Sequence, residues 1–518
     1  MRRKTLGWML LVSAGLVSVA QAGTFKAAAA KSAVTGRYVV VLRDHAAKLS
    51  LDEGRADLPN VSAVAESLSR RYGFTVVKVW DRALRGFILD GTEEVAQALA
   101  RNRQVESVEQ DALGASKQQS APVGNCYGYD SYPYGSLFYR TPPAASPQTI
   151  SCPESNPALD LGGAGQPPVC TDNWGLDRID QHAAQLDGLY TFDRTGSVPG
   201  QVNVRIFFLD TGINAAHREF LNQAGTASRA SAILFSADLS INTACHNPDP
   251  PTHDPYGHGT HTASIAAGRT FGVAKDASVV MLGVETRCDN GLILDPYSSV
   301  VDALNYVAGQ RPGVLNWSGG NDQQILASSA IRSALQGVAN SGVLVIQAAG
   351  NQSSPYPQPG YSPATYPSGV YNACDWTFSG ISGLMVVGGV DQHNNRWTRT
   401  WSGDVPSAHC VSNPNGAPPD CGSNIGACIS LWAPAADILG ASRYDTYGYC
   451  RLSGTSMAAP HAAGVAALYL QAHPLALPAE VQAALVASAT TGLLNTNTST
   501  PNHIGPGSPN RILYSRVP

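Results

Sequence analysis

The chain has 518 residues, with 34 basic and 38 acidic side chains and a formal charge of −4, a near balance that gives no field to attract nucleic acid. Charged residues make up 14% and hydrophobic ones 43%, with 51 Gly and 34 Pro, which excludes a largely disordered or coiled-coil chain and predicts a loop-rich globular protein. The length allows two or three domains, the largest with a substantial core.

At the N-terminus Arg2, Arg3 and Lys4 precede an apolar run at 6–20 that ends in Ala20-Gln21-Ala22. This is the layout of an export leader with a small-residue cleavage site, and it is too short to span a membrane. The expectation is a leader over 1–22, a secreted product beginning at Gly23, and no membrane association once the leader is removed. All ten cysteines follow residue 120, and an even number in an exported chain reads as disulfides.

Residues 37–112 carry alternating signals. Residues 38–42 read as a strand, Val61, Val64, Leu68 and Tyr72 share helical spacing, and 75–79 and 87–89 read as strands. Thr92 caps a helix carrying Val95 and Leu99, and 105–108 closes a β-α-β-β-α-β order. A small α+β domain is expected over 23–114. Residues 115–173, rich in Pro, Gly, Tyr and Ser with three cysteines, read as an irregular insert or linker. From Trp174 to 490, apolar β-rich runs at 204–209, 279–284, 343–346 and 384–390 alternate with helical patterns such as Val300, Leu304, Val307 and Ile331, Ala334, Leu335, Val338. Buried strands alternating with helices predict a parallel sheet covered on both faces, with functional loops beyond the strands' carboxyl ends. The tail at 491–518, rich in Asn, Thr, Pro and Gly, does not reveal whether it packs or is trimmed.

Three motifs occupy such positions. The strand at 204–209 ends in Asp210-Thr211-Gly212, His258 lies in Gly257-His258-Gly259-Thr260-His261, and Ser456 in Gly454-Thr455-Ser456-Met457-Ala458-Ala459-Pro460. A serine hydroxyl is a weak nucleophile unless a base takes its proton, and that base needs a carboxylate to hold one tautomer. Each residue has a structural alternative: a turn residue for Asp210, a histidine in a Gly-rich turn for His258, a helix cap for Ser456. The last does not compete with function, because a helix N-terminus also offers N–H groups to a developing oxyanion. A further strand runs into Ala348-Ala349-Gly350-Asn351, where Asn351 can supply an amide donor beside the Ser456 N–H, although an asparagine after glycine also suits a plain turn.

Together with Trp174-Gly175-Leu176-Asp177-Arg178-Ile179-Asp180, these blocks resemble, in this order, the subtilisin-like serine peptidases, nearest their proteinase K-like branch. The resemblance covers about 37–112 and 174–490. It implies a three-layer α/β domain with a central parallel sheet, preceded by a ferredoxin-like inhibitory prodomain, made as a precursor and matured by self-cleavage between about 112 and Trp174. It implies Asp210, His258 and Ser456 as the triad, Asn351 in the oxyanion hole, and His261 in a supporting role. Leu315-Asn316-Trp317-Ser318-Gly319-Gly320 resembles the substrate-pairing edge. Ser318 and Gly320 match there, Gly319 replaces a leucine, and Ala348, Ala349 and Gly350 line the opposite side. Main-chain pairing with an extended polypeptide tolerates that change.

The resemblance further implies structural calcium at Asp177 and Asp180, no cofactor for catalysis, and a Cys245–Cys288 disulfide. Ser430 stands where another calcium site of the family has an aspartate, and Thr262 where the family has a cysteine. The implied partners are polypeptide substrates and the chain's own prodomain, and a monomer is expected. A metallohydrolase reading draws on Cys245, His246, His253, His258 and His261 with Asp249 and Asp254, but no Glu lies between His258 and His261 as an H-E-x-x-H arrangement requires. The G-x-S-x-G elbow of α/β-hydrolases does not occur.

Overall fold

The computed structural model describes residues 23–30, 32–43, 60–115, 126–127, 148–151, 174–187, 189–198, 202–222, 224–235, 245–246, 254, 256–284, 286–288, 293–353, 371–398, 422–443, 446, 448–500 and 502–518. The predicted leader at 1–22 and most of the 115–173 insert lie outside them.

The N-terminal unit is built from β1 (Ala33–Leu42), α1 (Val61–Tyr72), β2 (Thr75–Trp80), β3 (Gly86–Asp90), α2 (Glu93–Ala100) and β4 (Val105–Ala115). Asn60 caps α1 by accepting from the Ser62 N–H at 2.8 Å, and Gly73 ends it in the left-handed region at φ 75°. Thr92 caps α2 through the Val95 N–H. The strands pair antiparallel in the order β4-β1-β3-β2. One sheet face, with Tyr38, Val40, Phe87 and Leu89, packs on α1 and α2. The other, with Val39, Val41 and Ile88, joins the core of the second unit.

The second unit contains α3 (Trp174–Ile179), β5 (Arg205–Asp210), β6 (Ala230–Leu234), α4 (His258–Ala267), β7 (Ser278–Gly283), β8 (Ile293–Pro296), α5 (Tyr297–Val307), β9 (Gly313–Trp317), α6 (Gln323–Leu326), α7 (Ser329–Asn340), β10 (Leu344–Ala348), β11 (Leu384–Val390), β12 (Ile429–Pro434), α8 (Thr455–Ala472), α9 (Pro478–Ser488), β13 (Thr490–Thr491) and β14 (Arg511–Ile512). Its sheet runs β6-β7-β5-β9-β10-β11-β12-β14-β13, parallel except for the final pair. Side chains alternate across it, as a two-residue period demands. Phe207, Leu209, Val280, Leu282 and Leu315 join the core under α5 and α7, while Ile206, Phe208, Val279, Met281 and Val314 join the core under α4, α8 and α9. The result is a three-layer α/β arrangement. The C-terminal stretch packs: β14 adds beside β12, and Ile512, Leu513 and Val517 are buried.

β4 runs seven residues beyond the predicted strand, because its end leaves its own unit and pairs antiparallel with β8. Two of its acids reach helix starts in the second unit. Glu109 accepts from the Ser329 N–H and the Ser328 hydroxyl, both at 2.8 Å, at the start of α7. Asp111 accepts from the Ser298 N–H at 3.1 Å and the Ser298 hydroxyl at 2.6 Å at the start of α5. A short strand at Cys245–His246 pairs with Thr286–Cys288, with Cys245 opposite Cys288. A disulfide joins Cys374 to Cys428, a pairing the sequence left open.

Candidate active site

β5 delivers Asp210 at its carboxyl end and α4 begins at His258, immediately after Gly257 in the left-handed region at φ 86°. His258 Nδ1 donates to Asp210 Oδ1 at 2.6 Å. The Thr211 N–H donates to the same oxygen at 2.8 Å, and the Thr262 hydroxyl to Oδ2 at 3.0 Å. Burial alone would raise this carboxyl, but the adjacent His258 and these donors outweigh it and hold Asp210 below the usual carboxylate range. A carboxylate held ionised here fixes the proton on Nδ1 and leaves Nε2 as an acceptor. His258 Nε2 is buried and has no hydrogen-bond partner among the described residues.

Ser456 is the second residue of α8, which packs against α4. Its hydroxyl donates to the Ser318 carbonyl at 2.9 Å, and the Ser318 hydroxyl donates back to the Ser456 carbonyl at 2.8 Å. Ser318 is thereby tied to the serine itself. Asn351 follows β10, and its Oδ1 accepts from the Thr455 N–H at 2.9 Å and hydroxyl at 2.6 Å. Those two bonds fix which way the amide points: the oxygen accepts at the start of α8, and Nδ2, beside Gly454, is left as the donor. The Ala348 and Ala349 carbonyls are held by the Asn321 and Asn424 amides, at 2.9 and 3.0 Å. Gly350 takes φ 93°, and a Cβ there would meet Gln352 and Asn424, so the turn before Asn351 requires glycine. Gly320, at φ 72°, lies against the Trp317 ring.

His261 is fully buried and donates from Nε2 to the Ile438 carbonyl at 3.0 Å. His461, at the same helix end as Ser456, donates to the Met457 carbonyl at 2.8 Å, and burial pushes its pKa down to about 4. Both belong to the scaffold. The sequence reading passed over Asp254 as a support. Its Oδ1 accepts from the Thr211 hydroxyl and the Gly257 N–H, both at 2.8 Å, and its Oδ2 from the Thr260 N–H and hydroxyl at 2.8 and 2.7 Å. One carboxylate thus locks the strand end carrying Asp210 to the helix start carrying His258. Its signal was faint: threonines directly after the aspartate and two after the histidine.

Away from this cleft, Asp177 and Asp180 sit with Asp187. Asp180 Oδ2 accepts from the Thr191 N–H at 2.5 Å, while its Oδ1 is buried without a partner. Burial, with the charges of Asp177 and Asp187 adding, lifts the Asp180 carboxyl to about 7. An unpaired buried oxygen among negative neighbours suits a hard cation, although among the described residues no three His, Cys, Asp or Glu side chains form a metal-ligating group.

The model of the subtilase family, Peptidase_S8, matches residues 202–507, and the chain belongs to that family. It is 28% identical over 496 residues to the extracellular serine proteinase of Thermus sp. (strain Rt41A), covering 94% of this chain and 91% of that protein. It is 29% identical over 487 residues to alkaline serine exoprotease A of Vibrio alginolyticus, covering 93% and 68%. A solved structure of a cold adapted subtilisin-like serine proteinase shares 30% identity at a TM-score of 0.47, over 66% of this chain and 98% of that one.

Proposed function

We propose that the protein is a secreted serine endopeptidase that cleaves polypeptides through an acyl-enzyme on Ser456. The observation that carries this reading is the His258–Asp210 pair, whose outer nitrogen is buried and unpartnered on α4, the helix packed against α8, which carries Ser456 in its first turn. The Ser456 hydroxyl turns from the Ser318 carbonyl to His258 Nε2 and attacks the scissile carbonyl as the imidazole takes its proton. Asp210 stabilises the imidazolium. Asn351 Nδ2 and the Ser456 N–H receive the oxyanion, and His258 returns the proton to the leaving amine. Water repeats the sequence to free the acyl group. No cofactor takes part. Extended substrates pair with the edge that includes Ser318 and Gly320 and with the turn at Ala348, Ala349 and Gly350. Family membership and relatives designated extracellular serine proteinases support secretion and activity. Among the described residues no helix is long and apolar enough to cross a membrane.

Residues 23–114 act as an intramolecular inhibitor, removed by self-cleavage beyond β4. The docking of β4 on β8 supports this role, as does the seating of Glu109 and Asp111 on α7 and α5. The mature unit spans 174–490 with its packed tail and works as a monomer. Asp177 and Asp180 hold a structural calcium, which the orphaned Asp180 oxygen favours, and the cross-strand register of Cys245 and Cys288 favours their disulfide.

The test compares wild type with Ser456→Ala for fluorophosphonate labelling, peptide hydrolysis and precursor processing. All three should vanish in the variant, and a processed or active variant would refute the mechanism. Chelation should lower thermal stability while leaving turnover at low temperature intact.

A further inference from the structure

We infer that the slot beside Asp295 is closed to side chains by Ile325, so that the enzyme selects polypeptides carrying glycine at the residue that pairs with Asp295. The inference deepens the endopeptidase reading and rests on it, because it takes the end of β4 as the stand-in for substrate.

Leu113, Gly114 and Ala115 pair antiparallel with Pro296, Asp295 and Leu294, the way an extended peptide adds to a sheet edge. β8 stands beside the cleft: Gly283, at the end of β7, pairs with Asp210, and Thr286, three residues further on, pairs with Leu294 of β8. Residues directly opposite across an antiparallel pair put their side chains on the same face, with Cβ atoms about 4.5–5.5 Å apart. A Cβ built on Gly114 would lie 2.3 Å from Ile325 Cγ1 and 2.6 Å from its Cδ1, distances at which one of the two must move.

Ile325 has little room to yield. It is 1% exposed and belongs to the core cluster with Tyr297, Val300, Trp317 and Ile331. Its backbone is anchored on both sides, by its N–H to Asp322 Oδ1 at 3.2 Å and by its carbonyl to the Ser328 N–H at 3.0 Å. Cγ1 is fixed directly to a branched Cβ, whose χ1 is stiff. Gly114 is not among the glycines with positive φ, so its backbone would accept other residues, and the neighbour alone demands the missing side chain. The same Cβ would also lie 3.4 Å from the Asp295 backbone oxygen.

Two measurements test this. In the full-length chain, Gly114→Leu should slow precursor processing at least tenfold, and Gly114→Leu with Ile325→Ala should recover most of that loss. Circular dichroism and thermal melting of the same substitutions in a Ser456→Ala background report whether each variant has folded. Mass-spectrometric profiling of cut sites in a denatured protein digest by the mature enzyme should show glycine enriched at one position upstream of the scissile bond, and Ile325→Ala should relax it toward alanine and leucine. Enrichment of a large apolar or basic residue there, a flat profile, or unimpaired Gly114→Leu processing overturns the inference while leaving the endopeptidase reading intact. Absence of Ser456-dependent hydrolysis in the wild type overturns both.

Discussion

Thr262→Val removes one donor from Asp210 and almost nothing else. The hydroxyl is fully buried and reaches Asp210 Oδ2 at 3.0 Å, with the Gly259 carbonyl at 3.2 Å as its other acceptor. It has one proton, and a charged acceptor outcompetes a neutral one. A hydrogen bond to an ionised group nets about 1.5–3 kcal/mol. Asp210 keeps the Thr211 N–H and His258 in the variant, so the lower end applies, about 1.5 kcal/mol. At about 1.4 kcal/mol per decade, kcat/KM should fall roughly tenfold. The assay is hydrolysis of a chromogenic peptide, normalised to sites counted by fluorophosphonate titration, with Thr262→Ser as the control that keeps the hydroxyl. Valine activity within twofold of wild type, or a serine variant as impaired as the valine one, would show that the proton rests on Gly259 and that Thr262 does not position the aspartate.

Asn351→Ala should lower kcat by about 10²–10³ with KM nearly unchanged, because the lost Nδ2 donor serves the developing oxyanion, whereas the lost Oδ1 acceptor of the Thr455 N–H and hydroxyl shows in stability; stopped acylation with equal loss of substrate affinity would argue otherwise. Replacing Cys374 and Cys428 by serine opens a loop with a sequence separation of 54 and should cost about 4 kcal/mol in denaturant unfolding on the chain-entropy account. In the docked precursor, burial and then Asp322 and Asp210 raise the Asp295 carboxyl to about 7. A raised acid stabilises the folded precursor while protonated, and that contribution is lost as pH rises from the free value near 4 through about 7. The unfolding free energy of a Ser456→Ala precursor in denaturant should therefore fall more steeply between pH 4 and 7 than above pH 7. Asp295→Asn should flatten that excess, and an unchanged slope would assign it to another group.

The sheet was legible because its strands are short apolar runs bounded by turns, and the candidate site because Asp210, His258, Ser456 and Asn351, proposed as its members, each stand at an element's end, where local sequence reveals both the element and its boundary. What lay hidden depends on partners far apart in the chain. Asp254 meets Thr211 across 43 positions, and nothing near it in sequence announces the bond. Asp111 meets Ser298 across 187, so the seven extra residues of β4 read as the end of a domain rather than as a strand of another. Cys374 and Cys428 are two among ten cysteines, and only packing selects one pairing. The tail after 490 lacks periodicity because it joins the sheet through very short pairings, β13 and β14.

The start of α5 has a consequence for the life of the enzyme after maturation. Pro296 precedes that helix and supplies no side-chain cap; the Ser298 N–H is accepted by Asp111, on the segment proposed to depart. A cap of this kind is worth about 0.5–2 kcal/mol, and nucleating a helix is the unfavourable part of forming one. A mature molecule melted by heat must therefore rebuild α5 without the group that helped to shape it. On that reading its durability is set by how slowly it comes apart, and heat inactivation should run as a one-way clock.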